Sequence, residues 1–72
     1  MQTKQFQQRF KELVSTLDED DFNTCAEKIG ITEATFIPAY YFGEVPSTAI
    51  LKRIAQYFNV STDYLLGKTE QK

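Results

Sequence analysis

Ala26-Glu27-Lys28-Ile29-Gly30-Ile31-Thr32-Glu33-Ala34-Thr35-Phe36 is the stretch that decides the fold. A short helix from about Asp21 to Ile29, with Cys25, Ala26 and Ile29 turned inward, stops at Gly30, a residue suited to the left-handed position after a helix. Ile31 is a buried spacer. Thr32 then caps the next helix, where Glu33 in the first turn suits the positive end of the helix dipole.

Downstream, the helix opened by Thr32 meets Pro38 about six residues in, which removes a hydrogen bond to the carbonyl of Ala34 and crowds that turn. A kink or an early end near Ile37 is expected. Gly43-Glu44-Val45-Pro46 forms a loop, with Pro46 near the first position of a fourth helix, about Ser47 to Phe58. There Ile50, Leu51, Ile54, Ala55 and Phe58 make one stripe, with Lys52, Arg53 and Gln56 outward. Asn59 ends it, Ser61 caps a short fifth helix from Thr62 to Leu66 with Leu65 and Leu66 inward, and Gly67 stops that one. Upstream, Phe6, Phe10, Leu13, Val14 and Leu17 recur in steps of three and four, which predicts a first helix from about Gln2 to Leu17. Asp18-Glu19-Asp20-Asp21 is a turn, with Asp20 or Asp21 capping the second helix. The expected fold is all-α: one five-helix domain over residues 1–67, followed by a polar, flexible tail over 68–72.

At 72 residues the chain is one domain near the lower limit for burying a core unaided. Its net charge is −2, but residues 18–51 hold seven acids and a single cation, Lys28, and so carry about −6. An acidic middle is a poor match for phosphate and a good one for a basic protein surface. One cysteine rules out an internal disulfide and fits a reducing cytoplasm. No apolar run spans a membrane, and the first residues lack the apolar core of a signal peptide, so a soluble, cytoplasmic protein is expected. With no histidine, no nucleophile–base arrangement and no glycine-rich phosphate loop, neither an enzyme nor a metal or cofactor site is expected.

The Ala26–Ile31 stretch, Phe10-Lys11-Glu12-Leu13, Thr35-Phe36, Pro46-Ser47, and the run from Leu51 to Val60 continuing through Ser61-Thr62-Asp63-Tyr64-Leu65-Leu66-Gly67 together resemble the Cro/repressor-type (XRE) helix-turn-helix family, over about Phe6 to Gly67. The resemblance implies that helices two and three form the helix-turn-helix, with Phe36 in the core and the third helix presented to the DNA major groove. The residues at that helix depart from the family's pattern. Glu33 stands where a basic or hydroxyl group is common, and Ile37 and Pro38 where polar or basic groups are usual. Tyr41 takes the place of an Arg, Glu44 replaces a loop cation, and Phe22 replaces a Gln that meets the backbone. Thr35 and Thr32 remain as candidates for residual DNA contact.

Phe10, Leu13, Leu17, Ala26, Ile29, Leu51, Ile54, Phe58 and Leu65 already fill the core, so Ile37, Tyr40, Tyr41 and Phe42 cannot all join it. An exposed apolar cluster with acids around it marks a protein-binding site. The expected site comprises Phe22, Ile37, Tyr40, Tyr41, Phe42 and Val45, rimmed by Glu33, Glu44, Asp20 and Asp21; Tyr40→Ala or Phe42→Ala should weaken binding while sparing the fold. The competing reading is that two of these aromatics fold back into the domain. A small acidic helix-turn-helix protein with such a third helix resembles the antirepressors of temperate-phage genetic switches. That likeness implies a bacterial host cytoplasm and, as partner, the DNA-binding domain of the phage's lysogeny repressor. DNA would be bound weakly or only within the repressor complex, and the protein itself would be a monomer or weak homodimer. The alternatives are a Cro-like repressor acting on operator DNA directly or as a co-repressor complex, and an antitoxin-like module bound to a basic toxin.

Overall fold

A computed structural model of the chain describes residues 3–72. It contains five helices: α1 (Lys4–Ser15), α2 (Phe22–Ile29), α3 (Glu33–Phe42), α4 (Thr48–Phe58) and α5 (Thr62–Leu65), with no strand among the described residues beyond an isolated bridge position at Glu44. The domain is all-α, with α2 and α3 forming a helix-turn-helix. The first helix opens at the Thr3 cap, and Gln2, where it was expected to begin, lies outside the described residues.

Local chemistry sets the boundaries. Thr3, Asp21, Thr32, Ser47 and Ser61 each place a side-chain oxygen to accept an amide of the first turn they precede. Gly30, Gly43 and Asn59 close α2, α3 and α4 in the left-handed region at φ 92°, 69° and 58°. At Gly43 the requirement for glycine is also steric, because a Cβ there would fall 2.5 Å from the Thr3 carbonyl oxygen. Pro46 is not the first residue of α4; Ser47 is the cap, so the proline lies just outside the helix.

The early end expected near Ile37 does not occur: α3 runs on past Pro38 to Phe42. Three features offset the proline. Ala34, whose carbonyl loses its usual donor, is on the exposed side, where water can serve it. Phe36 and Ala39, which flank the proline in sequence, are fully buried and hold both halves of the helix on the core. Beyond it, the Gln7 side-chain amide donates to the carbonyls of Tyr40 and Tyr41 at 3.2 and 2.8 Å, tying the last turn of α3 to α1.

The core gathers Phe6, Phe10, Leu13 and Val14 of α1, Cys25, Ala26 and Ile29 of α2, Phe36 and Ala39 of α3, Leu51, Ile54 and Ala55 of α4, and Tyr64 and Leu65 of α5. Leu17, Phe58 and Leu66 pack against it half-buried. Burial of the Tyr64 ring was not expected; Arg9 lies over it at 4.1 Å and donates to the carbonyls of Tyr64 and Thr69. Both α1 and α2 pack on α3, which places α3 across one side of the domain with a long outer face.

Candidate protein-docking surface

α3 is apolar almost all round: from Ala34 to Phe42 only Thr35 carries a hydroxyl apart from the two tyrosines, and no residue is charged. A helix apolar on every face belongs inside a larger body. In this domain one side of α3 is covered and the other is not. Phe36 and Ala39 are fully buried, whereas Tyr41 is 50% exposed and Phe42 63% exposed. Helical spacing puts Glu33, Ile37 and Tyr41 along one outer row and Ala34 and Pro38 along the next.

Not all the expected site residues are free to meet a partner. Tyr40 is half-buried in a ring cluster, 4.8 Å from Phe22, 5.7 Å from Phe36, 5.2 Å from Tyr41 and 6.5 Å from Phe10 between centroids. The Lys11 ammonium lies over the same ring, 5.3 Å from the Tyr40 centroid. Phe22 bridges the second and third helices through Phe36 at 5.3 Å, Tyr40 and Tyr41. Edge-to-face and offset geometries of this kind add to the stability of the rings' burial. Tyr40 and Phe22 therefore seat Tyr41, and these ring contacts argue that Tyr40→Ala costs stability rather than sparing the fold. Ile37 and Val45 are half-buried against the core, each with an outward remainder.

The acids differ in the same way. Asp20 and Glu33 are exposed, but Asp21 is committed to α2, accepting from the Asn23 amide at 3.1 Å and the Thr24 hydroxyl at 3.1 Å. Lys28, the single cation of residues 18–51, pairs with Glu19 at 2.9 Å, and that hydrogen bond holds its ammonium above its ordinary pKa. Burial pushes the Cys25 thiol up, with the Glu19 charge adding to the effect, so the group stays a neutral core filler at neutral pH. Thr32 and Thr35 spend hydroxyl capacity on each other: Thr32 Oγ1 accepts from the Thr35 amide at 3.2 Å and donates to the Thr35 hydroxyl at 3.0 Å.

One feature was not foreseen from sequence. The loop after α3 folds back beside its first two turns, leaving an open groove of about 380 Å³ lined by Ala34, Thr35, Pro38, Val45, Pro46 and Ile50 together with Glu44 and Ser47. The two prolines and the sequence spacing of Ala34 and Pro38 were visible, but their meeting with Val45 and Ile50 depends on how the loop returns.

Comparison with known proteins leaves these observations to stand on their own: no family model, no curated protein and no solved structure matches the chain. Among the described residues no helix is long and apolar enough to cross a membrane.

Proposed function

We propose that this protein is an antirepressor of the modulator-of-repression kind: it binds the DNA-binding domain of a temperate phage's lysogeny repressor through the outer face of α3 and keeps that domain off its operator. The observation that carries the reading is an apolar, partly aromatic outer face on α3, centred on Ile37, Tyr41 and Phe42, within a segment of seven acids and one already paired cation. Apolar rings at the centre give affinity, and surrounding acids steer toward a basic surface and exclude phosphate. A repressor's DNA-reading surface is basic because it must meet phosphate. Occupying it competes directly with the groove, so repression lifts and the lytic promoters open.

The test is a titration of the protein into a preformed complex of the cognate repressor and its operator, followed by mobility shift at near-physiological salt. Release of free DNA is the expected result. A supershifted complex, or operator binding without repressor that weakens steeply with salt, would replace this reading with a co-repressor or a Cro-like repressor.

A further inference from the structure

We propose that the groove between the first two turns of α3 and the returning loop seats one large apolar side chain, flanked by Lys or Arg, from a basic protein partner. This deepens the docking reading above and rests on it. The groove walls are apolar, and they are stiff. Val45 and Ile50 are packed against the core from behind, Pro38 is fixed within a continuous helix, and Pro46 is held next to the Ser47 cap. Its volume of about 380 Å³ is at the small end of sites that accept ligand groups.

The polar groups lining it are already engaged with the fold. The Thr35 hydroxyl accepts from Thr32, and the Ser47 hydroxyl accepts from the Ile50 amide at 3.4 Å. What the groove offers is therefore apolar surface, and its single charged lining residue is an acid, Glu44, with Glu33 next in sequence to the Ala34 wall. An apolar anchor with positive neighbours satisfies both features. A second copy of this chain presenting the same face does not, because its own α3 and loop would bring Glu33 and Glu44 against the same acids.

The experiment uses the isotope-labelled full chain, with amide shifts recorded against three probes: the repressor's DNA-binding domain, a short peptide carrying one Leu between arginines, and the same peptide with glutamates for arginines. Ala34→Trp plugs the groove from an exposed position, and its far-UV dichroism and melting curve should match the wild type. The basic peptide should move Ala34, Val45 and Ile50, the acidic one should not, and Ala34→Trp should lose those shifts and bind the repressor domain at least about tenfold more weakly. Equal shifts from both peptides, or from neither, overturn the groove. So does an Ala34→Trp protein that binds the repressor domain like wild type while Phe42→Ala does not, and in that case the functional reading survives. If the basic peptide seats but the repressor domain does not bind, the groove stands and the antirepressor reading fails.

Discussion

α3 and α4 are of similar length and built with the same punctuation, a hydroxyl cap at the start and a left-handed residue at the end, yet they use their surfaces differently. In α4 every large apolar residue but one turns inward: Leu51, Ile54 and Ala55 are buried, Ile50 and Phe58 half-buried, and Lys52, Arg53 and Gln56 face water. Only Tyr57 departs from that division, edge-on to Phe58 at 5.1 Å. Folding alone accounts for such a helix. α3 fills the core through Phe36 and Ala39 and then carries Tyr41 and Phe42 on a side that the domain leaves exposed, with Ile37 and Pro38 half-buried beside them. Burial accounts for the inner half of α3 and leaves Tyr41 and Phe42 in the open.

The contrast breaks first at Phe36. It is fully buried between Phe10, Phe22 and Tyr40, so Phe36→Ala should cost about 3–5 kcal/mol in urea unfolding. For a domain of this size, expected to have about 4–11 kcal/mol in hand, that loss is a large fraction of the total stability. A loss under about 1 kcal/mol would mean that α3 is not anchored in the core. Gly43→Ala comes next. A left-handed alanine costs about 1–2 kcal/mol, and displacement of the Thr3 carbonyl adds to it. The loss should appear in thermal unfolding, and it would break the 3.0 Å bond from the Thr3 amide to the Gly43 carbonyl, exposing the Thr3 amide to hydrogen exchange.

Much of this division was legible in the sequence, and the rest was not for a definable reason. The caps at Thr32 and Ser61, the choice of Asp20 or Asp21 before α2, and the stops at Gly30 and Asn59 depend on residues within one turn, so local spacing identifies them. Apolar periodicity likewise picks out the inner stripes of α1 and α4. The failures involve partners distant in sequence. Pro38 was expected to kink or shorten α3 because its missing bond is visible locally, whereas the Gln7 amide that secures the far end comes from 33 and 34 residues away. Tyr40 and Tyr41 are adjacent aromatics with identical side chains, and only the placement of Phe22 and Phe10 sends the first inward and leaves the second half outside. The groove was missed for the same reason.

Tyr40 and Phe42 turn that difference into a matched pair. Tyr40→Ala should lower stability by about 2 kcal/mol, because half of a ring packed among four others is lost. Phe42→Ala should leave stability within about 0.5 kcal/mol of wild type and weaken partner binding by about 1–3 kcal/mol. Calorimetric titration beside a melting curve separates the two. If Phe42→Ala lowers the melting temperature as much as Tyr40→Ala does, the outer face of α3 is part of the fold, and its likeness to α4 is closer than its exposure suggests.

The smallest effect concerns charge rather than rings. Glu33 is the first residue of α3 and exposed, so Glu33→Gln removes a favourable interaction with the helix dipole worth about 0.3 kcal/mol. Its larger consequence is kinetic. An exposed rim acid contributes to the field that draws a basic partner in, and not to the contacts that hold it, so stopped-flow mixing with the repressor domain should show association slowed about threefold with dissociation unchanged. Raising the salt to about 1 M, where the screening length is about 3 Å, should bring the two proteins to the same association rate. Faster dissociation of Glu33→Gln at all salt concentrations would instead put this carboxylate inside the buried contact, and the docking face would then extend along the whole outer row from Glu33 to Tyr41.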